Sequence, residues 1–348
     1  MKTPIVWSVV AVIMPLSTGL FARERAGAES PRIRRMALTP ARLETASHSP
    51  MLVLKPENRT AGDGAVHYDK AARALPANLD EKQIRKWLDL PPGRLPQSDV
   101  ERVLQQAQTS LEHFRQGTAC KDCTWPPFTP GTMPANLRAY RKLTFLLCLQ
   151  THLQIARGQF DNALASIQTG LAAAKHSGEA PSVVQGNVGV AMAAMTLRSV
   201  ESMAQTPGSP NLHAALESLP KPLIDLEIPI AAELKNLEAN KQYNVLTRAV
   251  MRRHLEESYT RVRQLMHRLD GTVAALQSLE ALRHSVATQA GQLPVRLSDL
   301  TDVVAPNDPA TGKPFSYQRR GAGAVLETAP PKGGGPRDAV RYEITVAE

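Results

Sequence analysis

The sequence predicts a mainly helical protein, an array of antiparallel helical hairpins, with a small α+β module at its C-terminal end. That module is expected to be one helix carrying a three-stranded antiparallel sheet. Three observations carry this expectation. Aromatic residues make up only 4% of the 348 residues while Ala and Leu are plentiful, a mixture that suits close-packed helices better than a β-sandwich. The 27 prolines crowd the N-terminus, positions 91–134 and the stretch after 294, leaving long proline-free windows for helices. After Gly291 the apolar pattern changes from helical spacing to alternation between turn residues, which marks short strands.

The chain opens with Met1-Lys2, runs uncharged from Pro4 to Ala22, and then offers Ala26-Gly27-Ala28. A charged start, an apolar run and an A-x-A site make residues 1–28 a secretory signal peptide, with Ala22 as a second cleavage point. The run is also long enough to persist as an N-terminal anchor, in which case residues 4–22 contact the membrane. Arg23, Arg25, Arg32, Arg34 and Arg35 follow it, and positive charge favours the cytoplasmic side. Export is the favoured reading, to the periplasm or the outer face of the cytoplasmic membrane. Residues 29–64 are rich in Pro, Arg, Ser and Thr without periodicity and read as a disordered tether.

Residues 65–270 form the expected helical body. Two short helices cover 66–75 and 81–90. A third runs from Ser98 to Gly117, opened by a Ser98/Glu101 capping box, with Val100, Val103, Leu104, Ala107, Leu111 and Phe114 on one face. Residues 136–156 and 160–175 pair as a hairpin about Gly158, and 181–204 give a helix dense in Ala, Gly, Val and Met. A long helix follows from Ile228 to Leu269 and stops at Asp270-Gly271, where the C-terminal module, 271–348, begins. Its helix covers 272–289, and its strands 315–318, 324–328 and 340–346.

Three resemblances attach to these elements. Gly158, Phe160, Ala163, Ile167 and Leu171 resemble the second half of a tetratricopeptide repeat, yet nothing similar recurs about 34 residues away in either direction. One hairpin is a packing motif, not a solenoid. The run Leu279, Leu282, Gly291, Leu293-Pro294, Leu297, Leu300, Asp308-Pro309, Thr311-Gly312 and Phe315 to Tyr317 resembles the soluble part of type II secretion major pseudopilins. A pseudopilin also has a leader, a processing Gly-Phe and a following Glu in its apolar helix. This chain has none of them, so the resemblance implies a shared small fold and not a filament subunit. The order of a Tyr68-to-Pro76 start, a Cys120-x-x-Cys123-x-Trp125 loop, the hairpin, the Ala-rich helix and the C-terminal module is similar to a family of exported bacterial helical proteins. That similarity implies an architecture and an envelope location, and no activity.

The formal net charge is +9, which admits nucleic acid, an anionic membrane surface or acidic polymers as partners. No run of Lys and Arg interleaves with aromatics, which argues against nucleic acid. Arg248, Arg252, Arg253, Arg261, Arg263 and Arg268 read as a solvated helix face partly neutralised by Glu256 and Glu257, the sharper alternative being an anionic-partner surface.

Cys120-Lys121-Asp122-Cys123 is the main constellation. Redox chemistry wants the first Cys at a helix N-terminus, and Trp125-Pro126-Pro127 forbids an immediate helix. A zinc site would need two more ligands, for which His113 and His152 are the nearest in sequence. In an oxidising compartment a Cys120–Cys123 disulfide pinning the loop, or a pair of inert thiols, is the leading reading, with metal and redox roles behind it. Cys148 reads as a core residue. Thr311-Gly312-Lys313 lacks the glycine and Ser/Thr of a P-loop, and the internal Pro220 disrupts the Ser218-x-x-Lys221 of penicillin-recognising enzymes. Glu201, Glu233 and Glu238 are candidate paired acids, and Asp308 is a turn cap or a cation ligand. No catalytic residue, metal ligand or cofactor site is assigned. The sequence thus points to a non-catalytic envelope protein whose helical surface meets another envelope protein. The alternatives are an exported hydrolase-like enzyme with a dispersed site, and an accessory of the secretion apparatus.

Overall fold

A computed structural model of the chain describes residues 30–44, 50–127 and 132–347. The expected signal or anchor, residues 1–28, lies outside these. Among the described residues there are ten α-helices and a small sheet of four strands. No helix among them is long and apolar enough to cross a membrane.

The chain enters as β1 (Arg32–Leu38), passes β2 (Thr60–Asp63), and folds into α1 (Gly64–Arg73), α2 (Glu81–Leu88), α3 (Gln97–Gln106) and α4 (Gln108–Ala119). The short β3 (Cys120–Asp122) pairs in parallel with β2. Then come α5 (Leu137–Ala156), α6 (Phe160–Gly178), α7 (Val183–Ala204), α8 (His213–Glu217), α9 (Glu227–Ala239) and α10 (Val245–Thr288). The chain ends in β4 (Ser316–Arg320), β5 (Gly323–Glu327) and β6 (Val340–Val346).

Glycine sets the spacing of the central helices. A methyl at Gly189 of α7 would lie 2.6 Å from the Ala174 carbonyl oxygen of α6, so these two helices meet backbone to backbone. One core cluster extends without interruption from Met36 of β1 through α1–α10 to Ile344 of β6.

Several expectations need correction. Residues 32–38 are not a tether: β1 pairs in parallel with β6 from Arg32↔Val340 to Leu38↔Val346, completing a mixed sheet of order β1-β6-β5-β4 in place of three antiparallel strands. The arginines that hide its alternation are used locally, since Arg34 forms an ion pair with Glu201 of α7, which also accepts from Tyr342 Oη at 3.1 Å. The predicted third helix divides at Ala107, and Pro96, not Ser98, precedes its first half. Glu101 makes no capping box because Arg157 holds its carboxylate at 3.1 and 3.2 Å. Gly117 does not stop α4; it lies inside it, where a Cβ would come within 2.8 Å of the Tyr68 ring.

The long helix is broken elsewhere than expected. Asn240 Oδ1 accepts from Gln242 N at 3.0 Å and Asn244 caps α10 by accepting from Thr247 N at 2.8 Å, so the break falls at 240–244. The helix α10 then runs through Asp270-Gly271 unbroken, and Asp270 accepts from Leu223 N at 2.9 Å. The expected domain boundary at 270 therefore lies within one helix whose two halves share the continuous core.

Candidate functional site

A concavity lies beside the Cys-x-x-Cys loop, and it is assembled from segments far apart in sequence. Its foundation is Asp63, whose Oδ1 accepts from Ala65 N at 2.9 Å, capping α1, and from Thr124 N at 2.9 Å, holding the loop after β3. Gly64 permits this closeness, because a Cβ there would meet the Gly117 carbonyl oxygen at 2.6 Å. Tyr68, one turn into α1, is buried at 2% exposure and gathers the rings around it. Trp125 stacks on it at 5.6 Å and 8°, with Phe114, Tyr140 and His176 arranged at 5.5, 6.2 and 5.9 Å. Two hydrogen bonds fix the assembly: Tyr68 Oη with His176 Nδ1 at 2.8 Å, and Trp125 Nε1 donating to the His176 carbonyl at 2.7 Å.

Past Trp125 opens a cleft of about 620 Å³. Leu52, Leu171, Leu219, Leu223 and Ile228 give it aliphatic walls. Arg59, Lys121, Lys175 and Glu179 supply its charged groups, and Cys123 and His176 lie in its lining. Lys175 forms an ion pair with Glu179 along α6. Among the described residues Arg59 and Lys121 form no ion pair, and the Arg59 Nε is buried without a hydrogen-bond partner.

The reactive groups of the cleft are electrostatically quiet. Burial, reinforced by the Asp63 carboxylate, pushes the Cys123 thiol up to about 12. Burial, with the positive charges of Arg59 and Lys175, pushes the His176 imidazole down to about 4. Near neutral pH the cleft therefore presents a protonated thiol and a neutral imidazole already bonded to Tyr68. Neither is a ready nucleophile or a free base.

The structure separates the other sequence candidates. Cys120, Cys123 and Cys148 are free thiols, and Cys120 Sγ donates to the Gln116 carbonyl of α4 at 3.3 Å. No group of three or more His, Cys, Asp and Glu suited to a metal ion occurs among the described residues. His113 bonds with Gln116, and His152 is buried in α5 at 5% exposure. The three candidate acids stand in different settings. Glu201 serves Arg34 and Tyr342, Glu233 accepts from Val183 N at 2.7 Å and Tyr259 Oη at 2.9 Å, and Glu238 takes Arg252 at the surface. Asp308 caps its turn, accepting from Ala310 N at 2.9 Å and Ala329 N at 2.6 Å. Ser218 Oγ donates to the Ala215 carbonyl at 2.8 Å. Arg252, Arg253 and Arg263 pair with Glu256, Glu257 and Glu227.

Sequence reasoning passed over Arg59, Lys175 and His176, and also a closed polar cluster behind α7. There Arg283, wholly buried, donates to Thr39 O at 2.9 Å, Ser209 Oγ at 2.8 Å and Glu280 Oε2 at 2.8 Å. Glu280 Oε2 also accepts from Leu212 N at 3.0 Å. The only signal was an acid and a base three apart in a largely apolar stretch of α10. With every partner inside the protein, this cluster joins the N-terminal segment to α10 and offers nothing to a substrate. No family model, curated protein or solved structure matches the chain.

Proposed function

We propose that this is a non-catalytic binding protein of the cell envelope whose helical body holds an apolar, negatively charged partner molecule in the cleft beside Trp125. One observation carries the reading: aliphatic walls and uncommitted cations surround a thiol and an imidazole that are both in unreactive protonation states. A hydrolase-like role would need a thiolate or an available base at the same place. The helix α6 of the α5–α6 hairpin, read as tetratricopeptide-like, then serves as one wall of a binding site and not as part of a solenoid unit. The envelope setting is supported by the residue order of the N-terminal segment, and another envelope protein could offer the required apolar and acidic groups.

The test uses the full chain and a neutral solvatochromic dye such as Nile red. Native protein is expected to enhance its fluorescence, and Ala172→Trp, which fills the cleft from α6, to suppress the enhancement with the melting temperature unchanged. Equal dye binding by both proteins would remove the cleft from the account. Turnover of a peptide or cell-wall substrate by the purified protein would replace it with an enzyme.

A further inference from the structure

We infer that the molecule held in the cleft is a single-chain acyl anion, a long-chain carboxylate lying along the aliphatic wall with its head between Arg59 and Lys121. This rests on the binding reading above and narrows it to one ligand class. The walls make the first selection. Leu52, Leu171 and the stretch 219–228 form these walls, and backbone groups along them are already committed. Gln168 Nε2 donates to the Val53 carbonyl at 3.0 Å, Leu223 N donates to Asp270 at 2.9 Å, and α6 closes its own hydrogen bonds. An extended peptide would bring N–H and C=O groups against this wall and leave them without partners, whereas an alkyl chain has none to satisfy.

Charge makes the second selection. Of three cations in the lining, Lys175 is engaged by Glu179, which leaves Arg59 and Lys121 free of ion pairs among the described residues. Arg59 also holds a buried Nε with no hydrogen-bond partner. A planar guanidinium with spare donors beside an ammonium suits a carboxylate, and a neutral head would leave those donors unmatched. Volume makes the third. About 620 Å³ lies inside the common range for small-ligand pockets and suits one chain better than the two chains of a phospholipid.

The experiment is calorimetric titration of the full chain with octanoate, decanoate and dodecanoate below their aggregation thresholds, against decanol and against acetyl-Leu-Leu with a free carboxylate. Decanoate is expected to bind, each added methylene to tighten binding about fourfold, and decanol to bind at least about tenfold more weakly. The Arg59→Gln/Lys121→Gln pair should weaken decanoate about tenfold and leave decanol unchanged, and Ala172→Trp should abolish both. Equal affinity for decanol and decanoate, or a tighter fit for the dipeptide, would overturn the acyl-anion assignment. Nile red binding without decanoate binding would remove this inference alone. Failure of dye, acid and alcohol together would remove the cleft reading as well.

Discussion

Arg283 is the residue on which the N-terminal segment hangs. Its guanidinium is wholly buried, and it reaches Thr39, Ser209, Pro210 and Glu280 at once. Removing it leaves the Glu280 carboxylate, 1% exposed, without its counter-charge. Arg283→Ala is therefore expected to destabilise the fold by about 3–5 kcal/mol in chemical denaturation, and Glu280→Leu/Arg283→Met to recover part of that loss. A single variant within about 0.5 kcal/mol of the native protein would show that the pair is dispensable. Such a cluster is nearly silent in sequence, because nothing in the letters of Glu280 and Arg283 says that they point inward. The same holds for the cleft. Cys123 and Trp125 stood out by composition, while Arg59, Lys175 and His176 acquired meaning only when β2, β3 and α6 converged.

Among the elements, glycine acts in two opposed ways. Gly189 is where α7 rests on α6, and a methyl there meets Ala174 O at 2.6 Å, a backbone atom that cannot swing aside. Gly271 lies inside α10, where an added methyl would meet no atom within 4 Å, and it contributes only backbone freedom to the unfolded chain. Gly189→Ala is expected to cost about 1–3 kcal/mol or more by overpacking, and Gly271→Ala to stabilise by about 0.5–1 kcal/mol. Parallel melting curves would decide, and a shift of the same sign for both would refute the contrast. Sequence located α5, α6 and α7 to within a few residues because Gly158 and Pro181 punctuate a strong apolar period. It placed the later break wrongly because Asp270-Gly271 has the letters of a stop. The working turn is built by Asn240 and Asn244, whose side chains bond to nearby backbone inside an uninterrupted pattern.

At the scale of the whole molecule, the sheet joins the two ends of the chain. Met36 and Leu38 of β1 are buried at 3% and 0% against β6 and the helices behind it. Deleting residues 1–38 is expected to lower stability by at least about 4 kcal/mol relative to deleting residues 1–29, and to promote association through the bared edge of β6. Sedimentation and thermal melting of the two truncations would test this, and equal behaviour would mean that β1 is incidental. The strand was hidden in sequence because Arg32, Arg34 and Arg35 break its apolar alternation, and Arg34 and Arg35 find their counter-charges at Glu201 and Glu343, 167 and 308 residues away. That separation also has a consequence in time. Arg35 and Glu343, ion-paired across β1 and β6, are 308 residues apart, so the first strand made must wait for the last. While the chain is being synthesised, its sheet cannot close. A ribosome that stalls short of Val340 releases a polypeptide with β1 unmatched, an exposed ribbon that proteases can recognise as unfinished.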